Sequence, residues 1–434
     1  MRRYFITALT IGSAVTVVVL TLYFAGAFQA MVTWLANLYV SLGMFSGEMV
    51  RVSWLEIPLV AISAVGMAWW VIDVSRLFQK VLIALSSLLV LAGISPTLAF
   101  YGFLIDPFSS LAAAVLSSVA AFAYAGTEKG LRKRVLEEVL GPRVSSHTFT
   151  SLLEAPDPPD FKGATREVTV LTCRLLEYQS LQDLLEPSEL MKLSNLFIRS
   201  ASAFLLSRGG YLDESSAELV RVSFGMLSPS EDHASQACQA ALELRSRLRN
   251  LSQECETRWF QPLQCGVGIS SGRMTVGVYG MPGHIFFSGI GEVTDYSRRL
   301  ALANVRYGSD LLIGPETYRL VQGGMELRPM EMFYDPVTND LAEIYQLLAR
   351  AGQFTGEEKA RRDLFWHGVI HLREKNFEAA LDCFSRSRLP GTEDAPAAYF
   401  ISRSQAGVAT PEAPASRLVR ELTDEGHARL ISMM

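Results

Sequence analysis

Between Arg166 and Val321 the glycines recur as the backbone frame of a nucleotide-handling domain: Gly209-Gly210, Phe224-Gly225, Gly266, Gly268, Gly272, Gly277, Gly280 and Ile290-Gly291. The chemistry such a frame suits is phosphoryl transfer, in which two metal ions are held by hard oxygen ligands placed close together. Two residues in the frame bear on it in opposite ways. Glu218 is a carboxylate; Arg174 is a cation. Whether the chain is an enzyme turns on that contrast. The glycines do not decide it, because they serve turns and close packing in any case.

The elements that must position these residues follow from periodicity. Val168 to Leu175 is an apolar, β-rich run and predicts a buried strand. Pro187-Ser188 opens a helix with Leu190, Leu193, Phe197, Ala201 and Phe204 on one face, and Gly209-Gly210 stops it. Tyr211 to Ser223 predicts two strands around a turn at Ser215–Glu218. Asp232 opens a second amphipathic helix through Ala234, Ala237, Ala241, Leu244 and Leu248. Cys265 to Gly280 predicts strand, turn, strand; a third helix runs from about Val293 to Leu302; a last strand, Asp310 to Ile313, precedes Gly314-Pro315-Glu316-Thr317-Tyr318. Helices alternating with antiparallel-leaning strands predict an α+β sandwich of the ferredoxin-like kind.

The chain has 434 residues, enough for two or three domains. Hydrophobic residues make up 49% and the mean hydropathy is +0.22, with the excess in the first third. Net charge is −5 and no basic stripe carries interleaved aromatics, which excludes nucleic acid as a partner. Cys173, Cys238, Cys255, Cys265 and Cys383 are scattered outside any CxxC spacing, as reduced thiols are.

Residues 1–126 predict a transmembrane bundle with spans at about 4–28, 55–74, 78–100 and 107–125. A signal peptide is the other reading of the first run; its length and the lack of a clean A-x-A site argue against it. Asp73 falls at the end of the second span, an interfacial position. Arg2, Arg3, Arg76, Lys80, Lys129, Arg132, Lys133 and Arg134 fall on one side of four spans, which puts the N-terminus and everything after Thr127 in the cytoplasm. Residues 29–53 are the only sizeable external stretch, themselves apolar, either external or partly inserted. Residues 127–163 hold a helix, Glu128 to Leu140, supported by Lys133–Glu137 and Arg134–Glu138 at i, i+4, then a stiff linker from Ala155 to Asp160.

An ordered set of short motifs carries a resemblance: Arg166-Glu-Val-Thr-Val-Leu171, Gly209-Gly210 with Phe224-Gly225, Asp232-His-Ala, Gly266-Val-Gly-Ile-Ser-Ser-Gly272 with Val276-Gly277, Ile290-Gly291-Glu292, Arg299-Leu300 and Gly314-Pro315-Glu316-Thr317-Tyr318. Together, over residues 164–350, they resemble the class III adenylate/guanylate cyclase domain. The membrane part is similar to the closing bundle of bacterial cyclases that carry an external CHASE2 sensor, without the sensor. The resemblance implies location in a bacterial inner (cytoplasmic) membrane. It also implies a homodimer or heterodimer through the cyclase-like domain, with sites at the interface.

In the family one subunit supplies two aspartates for Mg²⁺ or Mn²⁺, and the other supplies an adenine-reading Lys and Asp/Thr and a transition-state Asn and Arg. Carried onto this chain, the first metal position falls on Arg174 and the second on Glu218, in a turn flanked by Ala217 and Leu219. The base-reading positions fall on Glu214 and Ser288. The transition-state positions fall on Asp295 and Arg299. Leu311 to Arg350 holds no lysine for the phosphate position. Glu218 and Arg174 are therefore expected to form a salt bridge in the vacated metal site. Arg299 is expected in a helix-surface ion pair, and Ser288 to be satisfied by backbone.

Residues 355–407 predict a short all-α region: Gly368, Phe377, Ala380 and Phe384 sit at the spacing of a tetratricopeptide (TPR)-type helical pair, and Ala397 to Ala406 adds one helix. It packs on the cyclase-like domain or on a protein partner. Residues 408–434 form a tail ending in a short helix from Ala415 to Leu430. The whole predicts a membrane-anchored, inactive cyclase homologue, a pseudocyclase, acting in signalling by dimerisation, nucleotide sensing or scaffolding, with no cofactor. One alternative is a divergent active cyclase making cyclic nucleotide from ATP or GTP with Mg or Mn. Another is a purely structural membrane protein. Gly209 to Glu214 lacks the shape of a GGDEF-type diguanylate cyclase motif.

Overall fold

A computed structural model of the chain describes residues 2–44, 49–74, 77–155, 161–281, 284–335, 340–388, 393–409, 418–422 and 428–432. The chain divides into two compact units, Met1–Val139 with Phe149–Pro158, and Leu140–Thr148 with Pro159–Met434.

The first unit is built from α1 (Arg2–Phe24), α2 (Gln29–Ser41), β1 (Val50–Arg51), α3 (Ser53–Asp73), α4 (Leu77–Ala99), β2 (Phe103–Leu104), α5 (Pro107–Ala125), α6 (Glu128–Leu140) and α7 (Ser146–Glu154). Four of these helices are long and apolar enough to cross a membrane: Tyr4–Phe24, Ser53–Asp73, Phe78–Ala99 and Pro107–Ala125. The first ends before Phe28 because Ala25–Phe28 is a turn with Gly26 at φ +81°. Small residues bring the helices together. A Cβ at Gly12 would lie 2.6 Å from the Val65 backbone, so α1 crosses α3 in direct contact. Ala64, Ala68 and Val71 of α3 and Ala113, Ala114 and Ala121 of α5 are buried. Leu82, Leu85, Leu89 and Val90 leave an apolar face of α4 exposed, the face a lipid-facing helix presents. Within the apolar stretch 29–53, Gln29–Ser41 is a helix of 13 residues.

Lys133 does not partner Glu137. Its Nζ reaches Asp73 at the end of α3, 2.7 Å from the carbonyl and 3.1 Å from Oδ1. A helix-end carbonyl beside a carboxylate offers more negative charge than an exposed i, i+4 acid in the weaker orientation. The side chain of Arg134 and the linker from Pro156 to Asp160 lie outside the described residues.

The second unit continues with β3 (Ala164–Leu175), α8 (Tyr178–Leu184), α9 (Pro187–Ser207), β4 (Tyr211–Ser215), β5 (Leu219–Phe224), α10 (His233–Trp259), β6 (Cys265–Met281), β7 (His284–Ile290), α11 (Glu292–Tyr307), β8 (Leu311–Ile313), α12 (Pro315–Val321), β9 (Met325–Asp335), β10 (Asp340–Arg350), α13 (Gly356–Arg373), α14 (Phe377–Ser387), α15 (Ala395–Ala409), β11 (Leu418–Leu422) and β12 (Ala428–Ser432). The strands form one mixed sheet in the order β12-β11-β9-β10-β8-β6-β3-β5-β4, with β7 folded back on the outer half of β6. Strand alternation divides β3 between two layers. Leu171, Cys173 and Leu175 join Phe197 and Phe204 of α9 and Ala237 and Leu244 of α10 in one core. Thr172 faces α11, where its hydroxyl meets Ser297 at 2.8 Å.

Three expectations change. Ile313 does not end the last strand: β9 and β10 follow as a long antiparallel pair, their alternation interrupted by Pro329 and by two register shifts. Residues 415–430 are not helical where described: Leu418–Leu422 and Ala428–Ser432 pair as antiparallel strands, and the Gly426 that breaks the helical pattern lies between them. The third helix runs on to Tyr307, where Gly308 at φ +62° stops it. The stretch 410–417 lies outside the described residues.

The C-terminal helices pack on their own unit. Phe365, Ala380, Phe384, Ala397 and Phe400 share a core with Tyr307 of α11 and Phe333 of β9. Gly368 lets Phe384 seat against α13, and Gly407 does the same for Phe377. Arg328 pairs with Asp394 at 2.8 Å, and Arg403 with Glu331 at 2.7 Å.

The helix α11 rests on β6 through two glycines. A Cβ at Gly268 would stand 2.1 Å from Ser297 O, and one at Gly266 would stand 2.2 Å from Ala301 O. Gly268→Val in the full chain is therefore expected to destabilise the second unit by about 1–3 kcal/mol or more through overpacking. Gly272→Ala, whose Cβ meets only Val293 at 3.9 Å, should stay within about 0.5 kcal/mol. Thermal unfolding in detergent checks the contrast; equal shifts would contradict it.

Candidate functional site

Arg174 is the penultimate residue of β3, opposite Leu219 on one side and Gly266 on the other. The turn before β5 is pinned to it by Leu175 N donating to Glu218 O at 2.8 Å. Strand register thus fixes both backbones, and the side chains meet: Arg174 Nη2 lies 2.8 Å from Glu218 Oε1. The ion pair expected from the sequence is present. It stands at an open cleft of about 530 Å³ lined by Arg174, Glu177, Tyr178, Ser216 and Glu218 among others. Both side chains keep partial solvent contact, at 21% and 32% exposure. The pair is electrically neutral, so a dication arriving at the cleft gains from Glu218 about what it loses to Arg174, and Glu177 is the one other acid among the described residues of the lining. Among the described residues no group of three or more His, Cys, Asp or Glu is placed to hold a metal.

Glu214 and Ser288 lie far apart in sequence and meet through a residue the sequence reading passed over. Strand β4 carries a bulge between Leu212 and Glu214, where its pairing to β5 slips by one. A bulge re-aims side chains, and here consecutive acids both reach Arg221 of β5. Arg221 Nε donates to Asp213 Oδ2 at 2.9 Å, and its Nη1 lies 2.8 Å from Glu214 Oε2. Strand β7 folds back over β4, so that the Ser288 hydroxyl donates to Asp213 Oδ1. Ser288 is therefore satisfied by a buried carboxylate, not by backbone. Asp213 is 1% exposed in its side chain. Arg143 adds a bond to the Asp213 carbonyl at 3.3 Å and lies 5.1 Å over the Phe286 ring. Burial pushes the neighbouring Tyr211 phenol up to about 12, so it remains a donor to Phe287 O. Two adjacent acids in a strand with an Arg across the hairpin were the signal for this cluster.

Asp295 and Arg299 project from α11 one turn apart. Asp295 is 62% exposed and stands 4.0 Å from Arg298; Arg299 is partly buried. The inward residue between them, Ser297, is spent on Thr172. Neither Asp295 nor Arg299 lines the Arg174–Glu218 cleft. Within one chain the six sequence-predicted residues thus form three places: Arg174 with Glu218, Glu214 with Ser288 through Asp213 and Arg221, and Asp295 with Arg299 on α11.

No family model matches the chain. Among curated proteins the chain is similar to an adenylate cyclase of Anabaena cylindrica, 22% identical over 161 residues, which are 36% of this chain and 31% of that protein. The chain thus spans about a third of the length of that curated relative. Among solved structures it is similar to the guanylyl cyclase Cya2, at 22% identity and a TM-score of 0.41 over 45% of this chain and 98% of that one. It is also similar to the adenylyl cyclase CyaB from P. aeruginosa, at 24% identity and a TM-score of 0.40 over 45% of this chain and 100% of that one. The curated likeness supports a nucleotide-cyclase type of domain in this chain.

Proposed function

We propose that the chain is a membrane-anchored cyclase homologue that makes no cyclic nucleotide and acts in signalling by dimerisation, nucleotide sensing or scaffolding. The observation that carries this reading is the Arg174–Glu218 ion pair, standing where the resemblance puts two metal-binding carboxylates. A two-metal site draws its cations with net negative charge; a neutral pair supplies none. The base-reading corner supports the reading too. Glu214, Asp213 and Ser288 are engaged with Arg221 and with one another, so a purine edge would have to break internal bonds to be read. In the same proposal the four apolar helices lie in a bacterial inner membrane, with the N-terminus and the cyclase-like domain in the cytoplasm. The domain forms a dimer through its cyclase-like face, and the C-terminal helices, docked on β9, β10 and α11, extend it as a TPR-like scaffold.

Purified full chain in detergent, given ATP or GTP with Mg²⁺ or Mn²⁺, is expected to yield no cyclic AMP or cyclic GMP, and Mn²⁺ should leave its nucleotide affinity unchanged by calorimetry. Product under any of these conditions would sink the proposal. Arg174→Asp, which replaces the neutral pair with two carboxylates, is expected to bind Mn²⁺ where the natural chain does not.

A site kept for shape makes a second claim. Arg174→Ala breaks a partly solvated pair and should cost at most about 1 kcal/mol. Arg221→Ala strands the buried Asp213 carboxylate and should cost about 3 kcal/mol or more. Comparing the two variants by thermal unfolding tests this; the reverse order would refute it.

A further inference from the structure

At the end of the helical unit away from Asp73, two carboxyl groups are buried side by side. Glu56, in the first turn of α3, is 1% exposed and is supplied with donors on both oxygens. Arg51 donates through Nε at 3.2 Å and Nη2 at 3.0 Å, Tyr23 donates its hydroxyl, and the Asp106 backbone N–H donates at 2.9 Å. Asp106 itself is fully buried. Its Oδ1 caps α5, accepting from Phe108 N at 2.8 Å and Ser109 N at 3.4 Å. Its Oδ2 is buried with no hydrogen-bond partner. Ser109 Oγ, in the first turn of α5, is buried beside the Asp106 carboxyl and lowers its pKa against the larger upward push of burial, but makes no bond of full hydrogen-bond geometry.

The charges in this corner do not balance if both acids are ionised. Arg51 is committed to Glu56, which makes a neutral pair. No cation among the described residues pairs with Asp106. The titratable groups facing it are Tyr23 from α1, Arg51 from β1 and Glu56 from α3. From α2 and α4 come only the neutral hydroxyls of Tyr39 and Ser95, bonded to each other and to Ile105 O. Glu48 lies outside the described residues. An uncompensated buried carboxylate is among the costliest states a protein can hold, and such groups take up a proton instead.

We propose that Asp106 is a proton-binding site, holding its proton on Oδ2 in the resting state. Loss of that proton would release the cap over this end of the bundle. The cap is small and passes through the same residues. β1 and β2 pair in parallel, Val50 with Phe103 and Arg51 with Leu104, and Val52 N donates to Leu104 O at 3.0 Å. A second negative charge beside Glu56 competes for Arg51, and moving Arg51 pulls on β1. Burial, with the Glu56 charge added, holds the Asp106 carboxyl above the usual carboxylate range. The folded chain therefore binds this proton more tightly than the unfolded chain. Its stabilisation is complete below the ordinary aspartate range and is lost as pH rises through the folded value.

The test uses the full chain in lipid nanodiscs. Infrared difference spectra, natural chain minus Asp106→Asn, should show a protonated carboxyl stretch at neutral pH that disappears as the pH is raised through an alkaline range. Asn keeps the helix cap and cannot ionise, so the variant is expected to fold. Its thermal midpoint should be flat across this range, while that of the natural chain falls as pH rises. Absence of the carboxyl band at every pH would overturn the proposal, as would the same pH profile in Asp106→Asn. A midpoint raised by Na⁺, K⁺ or Ca²⁺ at fixed pH in the natural chain alone would assign the site to a metal cation instead and equally overturn it.

Discussion

Where α11 crosses β6, the Ser297 and Ala301 carbonyls would stand 2.1 and 2.2 Å from any side chain at Gly268 and Gly266, so the helix lies on bare strand backbone. Close packing of this kind leaves no room for adjustment. It fixes how far the outer face of α11 stands from the sheet, and that face carries Asp295 and Arg299. It also fixes the far end of the helix, where Tyr307 meets Tyr399 and Phe400 of α15. The same two glycines therefore set the height of Asp295 and Arg299 and of the platform on which the C-terminal helices sit. A glycine pattern of this kind is required by packing alone, whatever the chemistry of the site.

The polar side chains of the candidate site in the second unit obey a different rule, which is that each pairs within the chain. Arg174 and Glu218 cancel at a partly wet cleft. Arg221 stands between Asp213 and Glu214, and Ser288 supplies the remaining donor to Asp213. Each group has found a partner inside the chain, which is the condition for burying it at low cost. A binding site works the other way: it leaves groups unpaired until the ligand arrives. That difference, more than the identity of any one residue, is what favours a proposed role that rests on shape.

Much of this was legible in the chain. The β3 strand, the α9 and α10 helices and the β4–β5 turn follow from apolar spacing and from Gly209-Gly210. The Arg174–Glu218 pair followed from opposite charges at the two metal positions that the resemblance assigns. What escaped was whatever depends on register. The bulge at Asp213 is one slipped pair between two strands, and without it Asp213 and Glu214 would be assigned to opposite faces. The partner of Lys133 is sixty residues away at Asp73, invisible to an i, i+4 search. The strands β11 and β12 fall in a run whose apolar residues also fit a helix, and tertiary pairing decides such cases.

The helical unit, four of whose helices are long and apolar enough to cross a membrane, follows the same pairing rule. Lipid supplies no hydrogen bonds, so a membrane helix must satisfy its polar groups within the protein. Ser63 Oγ does so on its own turn and on the Ser110 carbonyl, and Glu56 does so with Arg51, Tyr23 and a backbone amide. Asp106 is satisfied on one oxygen only. In the second unit Glu218 reaches Arg174, and Asp213 and Glu214 share Arg221. In the bundle Arg51 serves Glu56, no cation among the described residues pairs with Asp106, and a proton is the smallest positive charge that can fill the place.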